Sequence, residues 1–325
     1  MCRLSIVIPF LGETEPFEDS LVSVLEHRPD DCEVLVVHRG GYDDPYDLSD
    51  EVGFVAVPNA TPLAEVLNAG FRRACGEVLH VLLPGVRAPL GWTDPALEHF
   101  DDPRVAAVTP VIVDGREPAR IASAGIVYTA GGTCRLNGVG TLFARGERVF
   151  RRRVIGPTAS AAFYRRMAVE ALGGYCPQVG SDLADADLAL SLRDLGFRNV
   201  LEPNCVVAIH VPQQRCAPSF ALGRDVERVY WRHADGTHWL QRLMCHPPAI
   251  LAGLLSGLGR LGSYACLCGR VVGLLEATRH RRHQQELAHI VRQLWDEQAL
   301  APACSGGRPS ASLANERGPR RNRAA

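Results

Sequence analysis

The chain has 325 residues, 46% of them hydrophobic and 22% charged, so it can bury one full α/β core and still have a smaller appendage. Its formal net charge of -1 excludes an overall field that would draw it to nucleic acid or to an anionic membrane, and we expect no nucleic-acid partner. The 11 cysteines are scattered and contain no CxxC pair. This usage argues against a zinc finger or a disulfide framework and predicts a reducing, cytoplasmic compartment.

Short apolar runs alternate with helical patterns over the first hundred residues. The run from Leu4 to Phe10 is too short for a signal peptide, and its β-branched residues predict a first strand. Glu18 to Leu25 has apolar residues at helical spacing. Further strands are predicted at 33–37, 53–57 and 78–83, and a further helix at 63–75. Such alternation predicts a mostly parallel sheet with helices on both faces.

The loop after the first strand distinguishes between nucleotide-binding folds. A dinucleotide-binding domain would carry G-x-G-x-x-G there, whereas this chain has Pro9-Phe10-Leu11-Gly12-Glu13. The sequence therefore argues against an NAD-dependent dehydrogenase. Sheets of this kind still bind ligands beyond the carboxyl ends of their strands, so the loops after Ile8, Val37 and Leu83 are the places to expect a site.

The second hundred residues continue the α/β pattern less regularly. Two predicted helices, at 167–172 and 182–195, stop at Gly173 and Gly196, as helices commonly do at glycine. A glycine-rich stretch at 131–140 lies between the predicted strands at 124–129 and 160–164. The strands are predicted at 105–113, 124–129, 160–164 and 205–210.

Helical patterns replace the alternation beyond about Gln213. Helices are predicted at 219–233, 248–275 and 276–295, and the Gly-, Pro-, Ser- and Arg-rich segment after Cys304 predicts a disordered basic tail. The segment at 247–275 is very apolar, but Arg260 and Arg270 interrupt it, which favours packing within the protein or peripheral contact with the inner face of a membrane over insertion. Its Gly253-Leu254-Leu255-Ser256-Gly257 run matches the spacing of close helix pairs.

A series of short motifs follows a familiar order in the first 210 residues. The early part of the series is 4–9, 33–37 and 67–79, and the later part is Gly173-Gly174-Tyr175, Asp185-Ala186-Asp187-Leu188, Arg193, Gly196-Phe197, Pro203 and His210. In this order and spacing the chain resembles the family 2 glycosyltransferases. The resemblance implies a GT-A fold at 1–212, which is α/β and Rossmann-like, followed here by a C-terminal helical region at 213–300 and the tail at 301–325.

In that family a nucleotide sugar binds across the strand ends, a divalent cation holds its diphosphate and a carboxylate activates the acceptor hydroxyl. The resemblance implies that Asp185 is this catalytic base and that the partners are a nucleotide sugar and a glycan or lipid-linked acceptor. An alternative explanation is that Asp182, Asp185 and Asp187 favour the start of a helix, where negative charge suits the dipole.

The metal-binding motif of the family is missing. Leu83-Pro84-Gly85 stands where the family has Asp-x-Asp, and it offers no carboxylate to Mg²⁺ or Mn²⁺. We therefore predict no metal and no other cofactor, and losing the cation without a replacement would slow turnover roughly a thousandfold or more. Arg87 and the run at 151–153 are candidate replacements, the alternative being solvated loop charges.

Donor recognition is altered as well. The family's Asp-Asp-Gly-Ser turn after the second strand is here His38-Arg39-Gly40-Gly41, which offers mainly hydrogen-bond donors. We predict donor-binding roles for Pro9, His38, Arg39, Gly40, Leu83, Gly85 and Arg87.

Three further positions lie on the acceptor side or are structural. His210 stands where some GT-A enzymes bind metal, and without carboxylates it is predicted to bond to the backbone. Asp187 and Arg193 are six residues apart on one predicted helix and are expected to pack or pair beneath the site.

Two functions stay open: an inverting, metal-independent hexosyl transferase, and an inactive binding or scaffold protein of the same fold.

Overall fold

A computed structural model of the chain gives the architecture of the protein. The described residues are 2–42, 44–211, 217–234, 239–256, 261–276, 286–287 and 289–290. The predicted helix at 276–295 lies mostly outside them, and the predicted tail at 301–325 lies wholly outside them. Residues 212–216, at the predicted domain boundary, are also outside.

A central sheet runs through the α/β part. Its strands are β1 Leu4–Phe10, β2 Cys32–His38, β3 Val52–Ala56, β4 Val78–Leu82, β5 Val86–Arg87, β6 Val105–Asp114, β7 Ile121–Ser123, β10 Ala161–Arg165 and β11 Arg198–Ile209, while β8 Ile126–Tyr128 and β9 Cys134–Leu136 form a separate hairpin. The order across the sheet is β3-β2-β1-β4-β10-β6-β11-β5, with β7 beside β6. The pairs β1–β2, β2–β3, β1–β4 and β6–β11 are parallel.

Helices cover both faces of the sheet. They are α1 Thr14–His27, α2 Leu63–Arg73, α3 Asp94–Glu98, α4 Glu147–Phe150, α5 Arg166–Leu172 and α6 Ala184–Asp194, with short 3-10 turns at His99–Asp101 and Phe143–Arg145. Alternate residues of β1 enter different cores: Leu4, Ile6 and Ile8 pack with Phe17 of α1, whereas Val7 packs with the α2 side. The predicted α/β fold with helices on both faces is therefore confirmed.

Two features of the sheet differ from the sequence-based expectation. Strand β10 is antiparallel to both β4 and β6, because it enters from a long excursion rather than from a short crossover helix. Strand β11 begins at Arg198, earlier than the predicted 205–210, and its pairing with β6 shifts register between Glu202 and Val206. The polar Glu202-Pro203-Asn204 segment at this irregularity hides the strand from apolar patterning.

The described C-terminal region is helical, with α7 Phe220–Arg232, α8 Trp239–Ser256 and α9 Leu261–Leu275. Over the range of the single helix predicted at 248–275, the structure describes the end of α8 and the whole of α9, and residues 257–260 between them lie outside the described residues. Within the described residues, no helix combines the length and the apolar character needed to span a bilayer. Helices α7 and α9 pack directly against each other, and α7 also contacts α6 through side chains described below.

Candidate active site

A cavity of about 440 Å³ lies beside the carboxyl end of β4, and its volume is typical of small-ligand sites. The hairpin β8–β9, the segment before β10 and the start of α6 contribute to its wall, and α7 and α9 contribute side chains from the C-terminal region. The charged residues on the wall are Asp182, Asp185 and Arg270, and Leu83, Ser160 and Leu222 also line it. The structure thus brings two sequence-predicted site residues, Leu83 and Asp185, into one cavity.

Asp185 lies in the first turn of α6 and is half-buried in this wall. Its Oδ1 accepts a hydrogen bond from the amide of Ala186 at 2.7 Å, and its Oδ2 accepts one from the amide of Ala159 at 3.2 Å. Burial raises the pKa of this carboxyl to about 6, although both amide bonds oppose the rise. A carboxylate with a pKa near neutral is suited to accept a proton from an alcohol.

The Leu83-Pro84-Gly85 segment, at which the metal motif of the family was expected, is fixed by backbone hydrogen bonds. The amide of Leu83 donates to the carbonyl of Ser160 at 2.9 Å, and the amide of Gly85 donates to the carbonyl of Pro16 at 2.9 Å. Gly85 has a φ of +85°, and a Cβ there would lie 2.6 Å from a methyl group of Val211. These residues provide no oxygen side chain, the kind of ligand that a divalent cation prefers.

His210 lies next to this segment, directly after β11. Its amide donates to the carbonyl of Gly85 at 2.8 Å, and its ring lies against Gly115, where a Cβ would be 2.6 Å from the ring. Arg87 is not among the residues on the cavity wall. Its guanidinium forms an exposed ion pair with Asp19 at 2.7 Å, and Arg151 similarly pairs with Glu147.

The predicted donor loop lies at the carboxyl ends of β1 and β2. Pro9 is buried in β1 opposite Val37 of β2, and the ring of His38 packs edge-on against Phe54 at 6.4 Å between centroids. The buried Nδ1 of His38 and Nε of Arg39 have no hydrogen-bond partner among the described residues. Gly40 adopts a φ of +84°, consistent with a turn.

Asp187 is buried and is not among the residues that line the 440 Å³ cavity. It accepts two hydrogen bonds from Arg232 of α7, at 2.8 and 3.2 Å, and one from His233 at 3.0 Å. Burial alone would raise the pKa of Asp187, but the hydrogen bonds and charges of His233 and Arg232 bring it well below its usual range. Arg193 instead forms an exposed pair with Asp194 at 2.8 Å, so the two predicted structural residues do not pair with each other.

A second cavity, of about 1100 Å³, lies on this side of α6 and α7. Arg224, Arg228 and Arg232 face it from one stripe of α7. Each has a carboxylate within 4.0 Å: Arg232 has Asp187, Arg228 has Glu276 and Asp225, and Arg224 has Asp225 at 3.9 Å. The arginines of this cavity are therefore neutralised by the protein itself.

One ligand-like cluster of metal-binding side chains occurs among the described residues. Cys2, Glu33 and Cys75 have ligand atoms within 4.8 Å of one another. They lie at the amino ends of the strands, opposite the cavity, and Glu33 already accepts a hydrogen bond from the hydroxyl of Ser5 and one from the amide of Cys75. This carboxylate therefore has a structural role in joining β2 to the turn before β4.

Sequence reasoning missed the residues that the C-terminal helices contribute. Glu227 of α7 is buried, and it accepts hydrogen bonds from Arg270 at 2.7 Å, His246 at 3.0 Å and Trp231 at 3.1 Å. Arg270 in turn reaches the wall of the 440 Å³ cavity. The sequence offered one signal for this pair, which was the position of Arg270 in an apolar helix. A buried charge there needs a partner of opposite charge.

Comparison with known proteins gives a distant but consistent result. No protein-family profile matches the chain. The "Pre-mycofactocin glycosyltransferase" of two Mycobacterium tuberculosis strains is 29% identical over 254 residues, covering 73% of this chain and 50% of the relative. The chain thus spans about half the length of the curated relatives it matches.

Solved structures resemble the fold more broadly. GalNAc-T7, solved with UDP, GalNAc and Mn²⁺, has a TM-score of 0.55 at 14% identity, covering 80% of this chain and 52% of its own. TarS residues 1–349 of S. aureus has a TM-score of 0.54 at 11% identity, covering 91% of this chain and 92% of its own. Together with the mixed sheet and its flanking helices, these likenesses confirm that the chain has the GT-A fold of glycosyltransferases.

Proposed function

We propose that the chain is a glycosyltransferase that moves a sugar from a nucleotide-sugar donor to a glycan or lipid-linked acceptor, with Asp185 as its base. The observation that carries this proposal is the position of Asp185 in the 440 Å³ cavity at the carboxyl end of β4, with a pKa raised to about 6. The glycosyltransferase name of the curated relative supports the reaction class.

The proposed step is a single inverting displacement. The acceptor hydroxyl gives its proton to the carboxylate of Asp185 while its oxygen attacks the anomeric carbon of the donor. The new glycosidic bond forms on the face opposite the leaving group. The bond from that carbon to the diphosphate breaks, and its electron pair leaves with the nucleoside diphosphate.

The donor's nucleoside is proposed to bind at the ends of β1 and β2. Within the described part of the chain, His38 and Arg39 each have a buried nitrogen without a hydrogen-bond partner, and polar groups of a base or ribose would satisfy these nitrogens. The Leu83-Pro84-Gly85 segment provides no carboxylate, so we propose that the diphosphate is held without a divalent cation.

The test is transfer activity of the full chain with UDP-, GDP- and dTDP-sugars, followed as release of nucleoside diphosphate with either EDTA or Mn²⁺ present. We expect one nucleotide series to be turned over in EDTA, and Asp185→Asn to lower kcat at least about 100-fold. Asp101→Asn, which changes an exposed carboxylate paired with Arg3, is the matched control and should keep full activity. Equal activity of the Asp185 variant and wild type would remove Asp185 as the base, and strict Mn²⁺ dependence would remove metal independence.

A second candidate function is a binding or scaffold protein that has lost donor chemistry. The absence of a carboxylate at 83–85 favours it. The two candidates differ in one result: the binding protein would take up a glycan or nucleotide in calorimetry yet release no nucleoside diphosphate from any sugar of the panel. Asp185→Asn would then leave that binding unchanged.

The acceptor proposal includes peripheral membrane contact through 247–275. Exposed apolar side chains on α8 and α9, among them Leu251, Leu255 and Leu261, support this proposal. A cytoplasmic protein at the inner membrane face would have access to lipid-linked acceptors through such a surface.

A further inference from the structure

The wall of the 440 Å³ cavity contains one basic side chain among the described residues, and it is Arg270. The same wall contains Leu83, the first residue of the segment that replaces the metal motif, and Asp185, the proposed base. A donor that places its anomeric carbon near Asp185 also brings a doubly charged diphosphate into this space. Such a group needs positive charge nearby, and Arg270 is the side chain positioned to supply it.

The guanidinium of Arg270 is fixed by a buried network. Its Nη1 donates to Oε1 of Glu227 at 2.7 Å, while Oε2 of Glu227 accepts from Trp231 and His246. The other ring nitrogen of His246 lies 2.8 Å from the carbonyl of Gly131, on the turn between β8 and β9. Arg270 is therefore held against α7, α8 and the hairpin, and its position needs little rearrangement to bind a ligand.

Arg270 keeps hydrogen-bonding capacity in this network. A guanidinium has five N–H donors, and with the described residues Arg270 forms a single hydrogen bond, through Nη1. Glu227 contacts the guanidinium through Nη1 alone, so the ion pair leaves the Nε and Nη2 N–H groups unbonded to the described residues. The remaining donors are available to oxygens in the cavity, and the planar fork of the guanidinium matches two oxygens of a phosphate.

We propose that Arg270 binds the diphosphate of the nucleotide-sugar donor and stabilises the nucleoside diphosphate as it leaves, in place of a divalent cation. This inference rests on the proposed function, because it assumes that a nucleotide sugar enters the cavity. It replaces the sequence-based candidates for that role. Arg87 pairs with Asp19 on the surface, and Arg151 pairs with Glu147 there.

The test measures binding rather than turnover. Calorimetric titration in EDTA compares UDP, GDP and dTDP with uridine, guanosine and thymidine, and the tightest diphosphate and its nucleoside are then used with the variants. We expect Arg270→Gln to weaken the diphosphate about 10- to 100-fold and to leave the nucleoside unchanged. A purely structural role would instead weaken both ligands by the same factor.

Two variants guard against trivial outcomes. Arg270→Lys retains a charge for Glu227 but lacks the fork, so it should recover part of the lost diphosphate affinity while unfolding near the wild-type temperature. Arg198→Gln, which changes an exposed arginine loosely paired with Asp102 at 3.5 Å, should bind both ligands as wild type does. These results together would support Arg270 as the diphosphate-binding residue.

The contrary outcomes separate the inference from the proposed function. If wild type binds a diphosphate more tightly than its nucleoside and Arg270→Gln preserves that ratio, Arg270 does not bind the diphosphate, while the proposed function stands. Loss of the ratio in Arg87→Gln instead would assign the role to Arg87. If wild type binds none of the three diphosphates, both the inference and the proposed function are wrong.

Discussion

Asp185 carries a raised pKa because the half-buried wall of the cavity removes water from its carboxylate more effectively than two amide hydrogen bonds compensate. The motif order of the family pointed to this residue, and the structure places it on the wall of the same cavity as Leu83. The environment of the residue was not predictable from the sequence, because only the fold brings the amide of Ala159 to it and places residues of the C-terminal helices on the same cavity wall.

The acid limb of the pH–rate profile should report this pKa. A base must be deprotonated to act, so kcat/KM for a nucleotide sugar should fall about tenfold per unit below a pKa near 6. A nucleotide-sugar donor is the right probe, since it lacks the terminal phosphate whose second ionisation near pH 6 would otherwise overlap. A limb near pH 4 would mean that Asp185 is solvated or is not the base.

Stability provides the matching control for Asp185→Asn. The folded-state pKa of Asp185 lies above the unfolded value of 3.8, so the ionised carboxylate costs stability at pH values above about 6. The asparagine variant should therefore unfold at pH 8 at the wild-type temperature or higher. Loss of activity in this variant would then reflect lost chemistry rather than lost structure.

At the scale of elements, helices α7 and α9 approach each other unusually closely. A Cβ on Gly223 would lie 1.9 Å from the carbonyl oxygen of Cys266, and one on Gly269 would lie 2.0 Å from that of Phe220. Gly269 and Gly273 are four apart, the small-xxx-small spacing predicted instead at Gly253-Leu254-Leu255-Ser256-Gly257. Among the described residues a Cβ on Gly253 would meet nothing within 4 Å, and Gly257 lies outside the described residues.

This crossing should be sensitive to a single methyl group. Gly223→Ala and Gly269→Ala would each place a methyl against backbone that cannot move aside, lowering the unfolding free energy by about 1–3 kcal/mol or more. Gly253→Ala is the matched control and should stabilise by up to about 1 kcal/mol, because alanine favours a helix over glycine. Urea titration of the three variants measures the change in unfolding free energy, which should be a loss for the first two and a gain for the control. An unchanged unfolding free energy in the Gly269 variant would contradict the close approach of α7 and α9.

Strands were predictable from the sequence where a local apolar run determines them. They were less predictable where pairing with a distant strand determines their direction or their first residue. The apolar runs of β1, β2 and β4 predicted strands within a residue or two, because these strands are buried on both faces. Antiparallel insertion of β10 and the early start of β11 depend on partners far along the chain. Glu227 and Arg270 were missed for the same reason, since their pairing joins positions 43 residues apart.

At the scale of the whole molecule, the two faces of α9 differ in the size of their side chains. Small residues face α7, and larger apolar residues are exposed on the other face. Gly269 and Gly273 face α7, while Leu261, Tyr264, Cys268, Val271 and Leu275 are exposed at spacings of three and four residues along the same helix. On α8, Leu251 and Leu255 are exposed one turn apart. A near-zero net charge means that any membrane attraction must come from such apolar side chains rather than from a long-range field.

We therefore expect the protein to float with neutral phosphatidylcholine vesicles, with binding little changed by anionic lipid or by salt. Replacing Leu261 and Leu275 together by serine should lower the bound fraction severalfold, because the two substitutions remove large apolar side chains that are 88% and 77% exposed, respectively. Leu90→Ser is the matched control, since Leu90 is 81% exposed but lies outside the C-terminal helices. Binding that requires anionic lipid would point to arginine contacts instead. Failure to bind either vesicle would reject peripheral membrane contact and would point to a protein partner for the exposed apolar residues of α8 and α9.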